Sequence, residues 1–138
     1  MADKKQKKTT PKKKKKKTIS YRLLKGRGRA YIKSTYNNTI VSFADQNGNV
    51  ICQSSAGRSG FKSAKKATPY AAGVVVKSLA PKAKQAGIRE VDALIKGVGP
   101  AREATVRAIA VNGIQIASIK DITPVPHNGC RPKRPRRV

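Results

Sequence analysis

The sequence contains few of the side chains from which metal sites and covalent cross-links are built. Among its 138 residues are one histidine, two cysteines and no tryptophan. A structural zinc site takes four Cys or His ligands, so the spacing His127-x-x-Cys130 offers only half of one. Cys52 and Cys130 are single thiols far apart in sequence, a pattern that indicates no disulfide framework. We therefore expect no metal, cofactor or disulfide.

Acidic residues are equally scarce, and this argues against an enzyme. A two-metal nuclease needs several carboxylates that converge on ions about 4 Å apart. Asp45 belongs to a predicted turn and Glu103 to a predicted helix start. Glu90 and Asp92 alone make an incomplete site, and they more naturally pair with nearby cations. The single histidine lies in a basic tail, so Ser/His/Asp catalysis is unsupported as well.

Long apolar runs are also absent. No stretch approaches the roughly 20 apolar residues of a membrane span. No apolar segment follows the basic N-terminus in the manner of a signal peptide. We therefore expect a cytoplasmic protein.

Positive charge is what the sequence has in excess. Its 32 Lys and Arg residues against six Asp and Glu give a net charge of +26, and 14 of these cations fall within residues 1–29. A chain that repels itself this strongly is expected to bind a polyanion, with counterion release as the source of affinity. A lysine-rich DNA-compacting protein would suit the N-terminal run, but it would not explain a structured middle or an arginine-proline tail.

Composition divides the chain into one domain and two tails, since this length allows a single domain. Residues 1–28 form a lysine-rich extension, which we expect to be flexible because like charges repel. Residues 29–122 form an α/β RNA-binding domain. Residues 123–138 form an extended Pro/Arg-rich RNA-binding tail, in which prolines stiffen the chain and arginine forks suit phosphate oxygens. A solvated tail without a partner is the alternative.

Hydrophobic periodicity and turn residues predict the order βββαβαβ. The predicted strands are Arg29–Thr35, Thr39–Asp45, Val50–Ser55, Arg89–Lys96 and Ile114–Ile122. Asn37-Asn38 predicts a tight turn through positive φ, and Gln46–Asn49 a hairpin. One helix begins at Thr68-Pro69 and ends before Gly87; the other spans Ala101–Asn112. Strands separated by helices run parallel, so the order predicts a single three-layer α/β domain with a mixed five-stranded sheet.

Two glycine-containing motifs each precede a predicted helix. Gly57–Lys66 carries four cations and an aromatic residue, which favours contact with RNA phosphates. Two roles remain open for the Phe61 side chain: it stacks on a base, or it packs in the core. Gly97–Glu103 is a weak dinucleotide signal, and a phosphate at the helix N-terminus clamped by Arg102 fits it better. Asn128-Gly129 predicts an ordinary turn in the tail, with isoaspartate formation as an alternative.

Four segments in order resemble the eleventh small-subunit ribosomal protein family in its bacterial form. They are Tyr36–Val41, Gly57–Tyr70, Lys96–Glu103 and the tail Asp121–Val138. The resemblance implies a ribonuclease H-like arrangement and a structural role without catalysis. It implies binding and bridging of 16S ribosomal RNA helices on the platform. It also implies helping to form the cleft for the Shine–Dalgarno duplex of the messenger, beside the seventh and eighteenth small-subunit proteins.

Residues and resemblance together predict one set of RNA contacts. The predicted RNA-binding residues are Arg27, Arg29, Asn37, Asn38, Arg58, Ser59, Gly60, Phe61, Lys62, Lys65, Lys66, Gly99, Arg102, His127, Asn128, Gly129, Arg131, Lys133, Arg134, Arg136 and Arg137.

Overall fold

The computed structural model describes residues 26–134. The lysine arm, with the predictions made for it, and the predicted contacts Arg136 and Arg137 lie outside the described residues. Within this range no helix is both long and apolar enough to cross a membrane.

Five strands form one mixed sheet in the order β3-β2-β1-β4-β5. They are β1 (Arg27–Ser34), β2 (Thr39–Ala44), β3 (Val50–Ser55), β4 (Glu90–Lys96) and β5 (Gln115–Asp121). β2 is antiparallel to both of its neighbours, whereas β4 is parallel to β1 and β5 is parallel to β4. Four strands therefore run in one direction, and their carboxyl ends lie at the same end of the sheet.

The strands follow the alternation expected of a sheet with one covered face. Ala30 and Ile32 of β1 are buried, and they pair across the strands with Phe43 and Val41 of β2, which are also buried. Tyr31, between Ala30 and Ile32, points to the opposite face and is only partly buried. A period of two along the chain thus separates the core face from the outer face.

A capping residue begins the first helix, and a glycine of positive φ follows each helix. α1 (Pro69–Gln85) has Thr68 as its N-cap, whose hydroxyl accepts a hydrogen bond from the amide of Ala71, and proline occupies its first turn. Pro81 lies inside α1 on its exposed side, and the helix continues through it. α2 (Arg102–Val111) is shorter and ends before Gly113, which has a φ of 73°. The predicted helices are confirmed to within one or two residues.

The helices contact one another, and their buried side chains share one core with the inner face of the sheet. Val75, Val76 and Leu79 of α1 and Ile109 of α2 are fully buried in it. The α/β class, the element order and the mixed five-stranded sheet are confirmed. Both helices lie on the same face, as right-handed parallel crossovers in one direction require. No helix of residues 26–134 covers the other face of the sheet, so the described domain has two layers where three were predicted.

Two local features differ from the sequence prediction. Asn37 and Asn38 have negative φ. In the described chain, the only non-glycine residues with positive φ are Ser63 and Asn128. Hydrogen bonds to Thr35 close this turn instead, so the predicted reason for it was wrong. A short 3-10 helix, Ser63–Ala67, stands before α1 where a plain loop was expected.

Candidate nucleic-acid interface

Most of the segments predicted to contact RNA lie at the carboxyl ends of the parallel strands. The turn after β1, the loop after β3, the glycine turn after β4 and the tail after β5 all start there. α1 and α2 also begin at this end, so the positive ends of both helix dipoles are added to the side-chain charge. We call the described parts of these segments the carboxyl-end surface: Thr35–Asn38, Gly57–Lys66, Gly97–Arg102 and 123–134. In open α/β sheets this end is where ligands commonly bind.

The loop Gly57–Lys66 presents cations to solvent. Arg58, Lys62 and Lys65 are exposed and Lys66 is half-buried. Among the described residues none of these four has a carboxylate within salt-bridge distance, as the ion pairs there involve other residues. The main chain turns at Gly60 with a φ of 92°, and a methyl group added there would meet no atom within 4 Å. The loop therefore has charge without internal partners and open space around its turn.

Phe61 packs against the core from the base of this loop. Its ring meets the ring of Tyr70 edge to face, with centroids 6.0 Å apart and planes at 83°. Tyr70 is 75% exposed at the start of α1. Of the two rings, that of Tyr70 is the more exposed. Phe61 was among the predicted contacts and Tyr70 was not, although Tyr70 is the last residue of the motif that contains both.

The turn between β1 and β2 adds a second exposed aromatic residue. Tyr36 is 72% exposed. Asn37 is exposed beside it, whereas the side-chain oxygen of Asn38 accepts a hydrogen bond from the amide of Thr39 at 3.0 Å. Asn38 is thus partly used in holding the turn. Tyr36 was also absent from the predicted contacts.

The glycine turn after β4 fits closely against β1. A β-carbon at Gly97 would lie 2.1 Å from the carbonyl oxygen of Ser34, and one at Gly99 would lie 2.6 Å from that of Thr35. Gly99 is buried, and its amide donates to the carbonyl of Ser34 at 3.0 Å. Glycine is needed at both positions because the backbone lies against the end of β1. The amide of Gly99 is already bonded to Ser34, so the predicted contact of Gly99 with RNA would have to use atoms other than this amide.

Arg102 is directed into the protein. One guanidinium nitrogen donates to the carbonyl of Gly97 at 2.9 Å, and another donates to a carboxylate oxygen of Asp121. The other carboxylate oxygen of Asp121 accepts bonds from the amide and hydroxyl of Thr123, at 2.9 and 2.6 Å. Hydrogen bonds from Thr123, with the guanidinium of Arg102, lower the pKa of Asp121 to about 2. In this structure Arg102 is not oriented as a phosphate clamp.

The remaining predicted cations of β1 lie at the opposite end of the sheet. Arg27 forms two hydrogen bonds to Asp92 at 2.9 and 3.2 Å, and Ser118 donates to the same carboxylate. The hydrogen bond from Arg27 lowers the pKa of Asp92 and raises that of Arg27. The pairing predicted for Asp92 is confirmed. Arg29, on the outer face of β1, remains a separate predicted contact.

Thr123 is partly buried, and every residue of the tail from Pro124 to Arg134 is exposed. Asn128 has a φ of 51°, which agrees with a turn at Asn128-Gly129. His127, Arg131, Lys133 and Arg134 all face solvent. Cys130 is exposed and free, and no group of three potential metal ligands occurs among residues 26–134.

A model of the family described as Ribosomal protein S11 matches residues 28–137, which is most of the chain. The chain belongs to this family. It is a structural protein of the small ribosomal subunit, which acts in translation and is not an enzyme. Membership implies a place in the ribosome and association with ribosomal RNA and other ribosomal proteins.

Proposed function

We propose that this protein binds and bridges helices of 16S ribosomal RNA through its carboxyl-end surface and its tail. The observation that carries the proposal is topological. Four segments predicted separately as RNA contacts leave the sheet at one end, because β1, β3, β4 and β5 run in the same direction. A surface built from several such segments can contact more than one RNA helix.

The charge of this surface suits phosphate oxygens. The four cations of the loop Gly57–Lys66 have no described carboxylate partner, and they stand before the N-terminus of α1. Lysines and arginines at such a place neutralise phosphates and release counterions. Tyr36 and Tyr70 add exposed rings on which an unpaired base can stack.

The tail provides a different kind of contact. Arg131 and Arg134 are exposed on a segment that prolines keep extended. Guanidinium groups bind two phosphate oxygens in one plane, so they favour particular RNA geometries. The arm of residues 1–18 contains lysine but no arginine. We propose that it binds RNA diffusely and that the tail fixes placement.

The family resemblance supports a more detailed location. It points to the platform of the subunit, beside the seventh and eighteenth proteins and the cleft that receives the Shine–Dalgarno duplex of the messenger. The protein would then act in the cytoplasm, where ribosomes are generally found. The exposed basic residues of the described tail are compatible with an RNA-lined position of this kind.

The test is reconstitution of small subunits with two truncated proteins. One lacks residues 1–18 and the other lacks residues 126–138. At matched occupancy, hydroxyl-radical footprinting of the RNA should show the same protected nucleotides without the arm, but lost or displaced protection without the tail. The arm truncation is the control for loss of positive charge. If removing the arm displaces the footprint while removing the tail leaves it in place, the proposed division is wrong.

A further inference from the structure

The point at which the tail leaves the domain is held by a closed set of hydrogen bonds. β5 ends at Asp121, and the amide of Ile122 still donates to the carbonyl of Ile95 at 2.8 Å. The next residue, Thr123, bonds back to the carboxylate of Asp121 through both its amide and its hydroxyl. The hydroxyl oxygen of Thr123 also accepts a bond from the amide of Gly97 at 3.0 Å. The root of the tail is therefore fixed to the glycine turn.

Arg102 completes the set from α2. It joins the carbonyl of Gly97 to the second carboxylate oxygen of Asp121. Turn, helix and tail root are thereby connected in a ring of Gly97, Arg102, Asp121 and Thr123, which we call the root cluster. Its charged donor and acceptor make charge-assisted bonds, which are stronger than neutral ones.

A second ion pair on α2 lacks such connections. Glu103 and Arg107 are 3.9 Å apart, and their side chains are 89% and 81% exposed. Neither holds another segment of the chain in the described structure. Exposed i,i+4 pairs of this kind contribute little. Two bonds of the root cluster instead join residues that are 19 and 26 positions apart in sequence.

The direction set at the root can extend along the tail. Pro124 follows Thr123 directly and Pro126 comes two residues later. Each proline restricts its own φ and the conformation of the residue before it. An anchored root with a stiff continuation has fewer conformations to lose when it binds. A free root would let the tail sweep over a wide volume.

We propose that Arg102, Asp121 and Thr123 are positioning residues that set the direction of the tail, so that its arginines reach one RNA site in one orientation. This role is exerted through the tail and requires no contact between these three residues and RNA. This inference rests on the proposed RNA binding by the tail. It gives Arg102 a different role from the phosphate clamp that its sequence motif suggested.

Cys130 allows a direct test, because it is an exposed thiol within the tail. Cys52, the other cysteine, is buried, and desolvation raises the pKa of its thiol, so it reacts slowly. An iron chelate attached to Cys130 of the full chain generates radicals that cleave RNA close to the tail. Small subunits reconstituted with this protein should show cleavage confined to a few nucleotides.

Thr123→Val and Asp121→Asn each break the root cluster. We expect the strongest cleavages from Cys130 to fall about tenfold and to spread over more nucleotides. That factor corresponds to about 1.4 kcal/mol, close to the lower value for one hydrogen bond to a charged group. Thr123→Ser keeps the hydroxyl and should restore the focused pattern. Glu103→Gln is the matched control, since it changes a carboxylate of α2 that neighbours Arg102 but lies outside the cluster. Its pattern should match that of the unmodified sequence.

The possible outcomes separate the two proposals. Focused cleavage that is unchanged in Thr123→Val and Asp121→Asn would overturn the positioning role, even if both variants unfold at lower temperature. Absence of ribosomal RNA cleavage from Cys130 in the unmodified sequence would instead overturn RNA binding by the tail. Should Thr123→Val fail to fold, Asp121→Asn carries the test, because it keeps the size of the side chain.

Discussion

The loop Gly57–Lys66 and the turn Gly97–Arg102 share some residue types but have different structural settings. Both contain two glycines and arginine, and both stand before a helix at the same end of the sheet. The loop leaves Arg58 exposed without a described partner. In the turn, glycines lie against β1 and Arg102 binds Gly97 and Asp121. The same residue types thus form an exposed basic surface in one place and hold the fold together in the other.

The largest effect should come from replacing a glycine of positive φ by alanine, which can be done in each of the two regions. Gly97→Ala places a β-carbon 2.1 Å from a carbonyl oxygen at a φ of 100°, so backbone must move. We expect a loss of about 3 to 5 kcal/mol in the free energy of unfolding. Gly60→Ala has the same unfavourable φ but free space, so it should cost about 1 to 2 kcal/mol. Urea denaturation followed by circular dichroism measures both, and equal losses would contradict the distinction.

Charge removal from the loop should weaken RNA binding next most strongly. The triple change Lys62→Gln, Lys65→Gln and Lys66→Gln should make the dependence of log affinity on log salt less steep. The magnitude of its slope should fall by about 2 to 3, because each phosphate contact contributes nearly one. Affinity at moderate salt should fall on the order of a hundredfold. A filter-binding series on small-subunit RNA measures both quantities.

The matched control replaces three exposed lysines of α1 by glutamine: Lys77, Lys82 and Lys84. It removes the same charge from a helix that leads away from the carboxyl-end surface, so the loss of slope should be clearly smaller. Equal losses in the two triple variants would mean that total charge alone determines binding.

The aromatic pair should divide stability from binding. Phe61→Ala removes a ring that packs against the core, and we expect a loss of about 2 to 3 kcal/mol in stability. Tyr70→Ala removes a ring that is 75% exposed, so stability should change little. If a base stacks on Tyr70, RNA binding should weaken by about 1 to 3 kcal/mol. Unfolding and RNA titration of both variants provide the check, and normal binding by Tyr70→Ala would remove this residue from the interface.

The smallest effect should be the pH dependence of the root cluster. The pKa of Asp121 is about 2 in the folded protein, below its usual value of 3.8, chiefly through hydrogen bonds from Thr123. A carboxyl group with a lowered folded pKa stabilises the fold above its unfolded pKa and loses this contribution as pH falls toward the folded value. Stability should therefore decline between pH 4 and 2, less steeply in Asp121→Asn.

The stability of every variant should still fall somewhat with pH in this range, since hydrogen bonds also lower the pKa values of Asp45 and Asp92. Glu103→Gln serves as the control and should follow the unmodified protein. Thermal unfolding at several pH values measures the series. Parallel curves for Asp121→Asn and the unmodified sequence would show that the bonds at Asp121 contribute no net stability.

Sequence by itself determined the elements of the domain and the family. Alternating residues such as Ala30 and Ile32 fixed the strands, and Thr68-Pro69 fixed the start of α1, because these signals depend on neighbours a few positions away. Four motifs in order indicated the family that the comparison then showed. The excess of positive charge depends only on composition, so a polyanionic partner was also predictable.

Only the tertiary structure decided which side chains of those motifs remain available. Arg102 is bound by Asp121, 19 positions away, and Gly99 faces Ser34, so no local spacing could reveal either contact. Tyr70 and Phe61 were distinguished by burial in the same way. The parallel course of four strands brings distant loops to one end of the sheet. Pairing between remote strands determines that arrangement, and a local pattern contains no record of it.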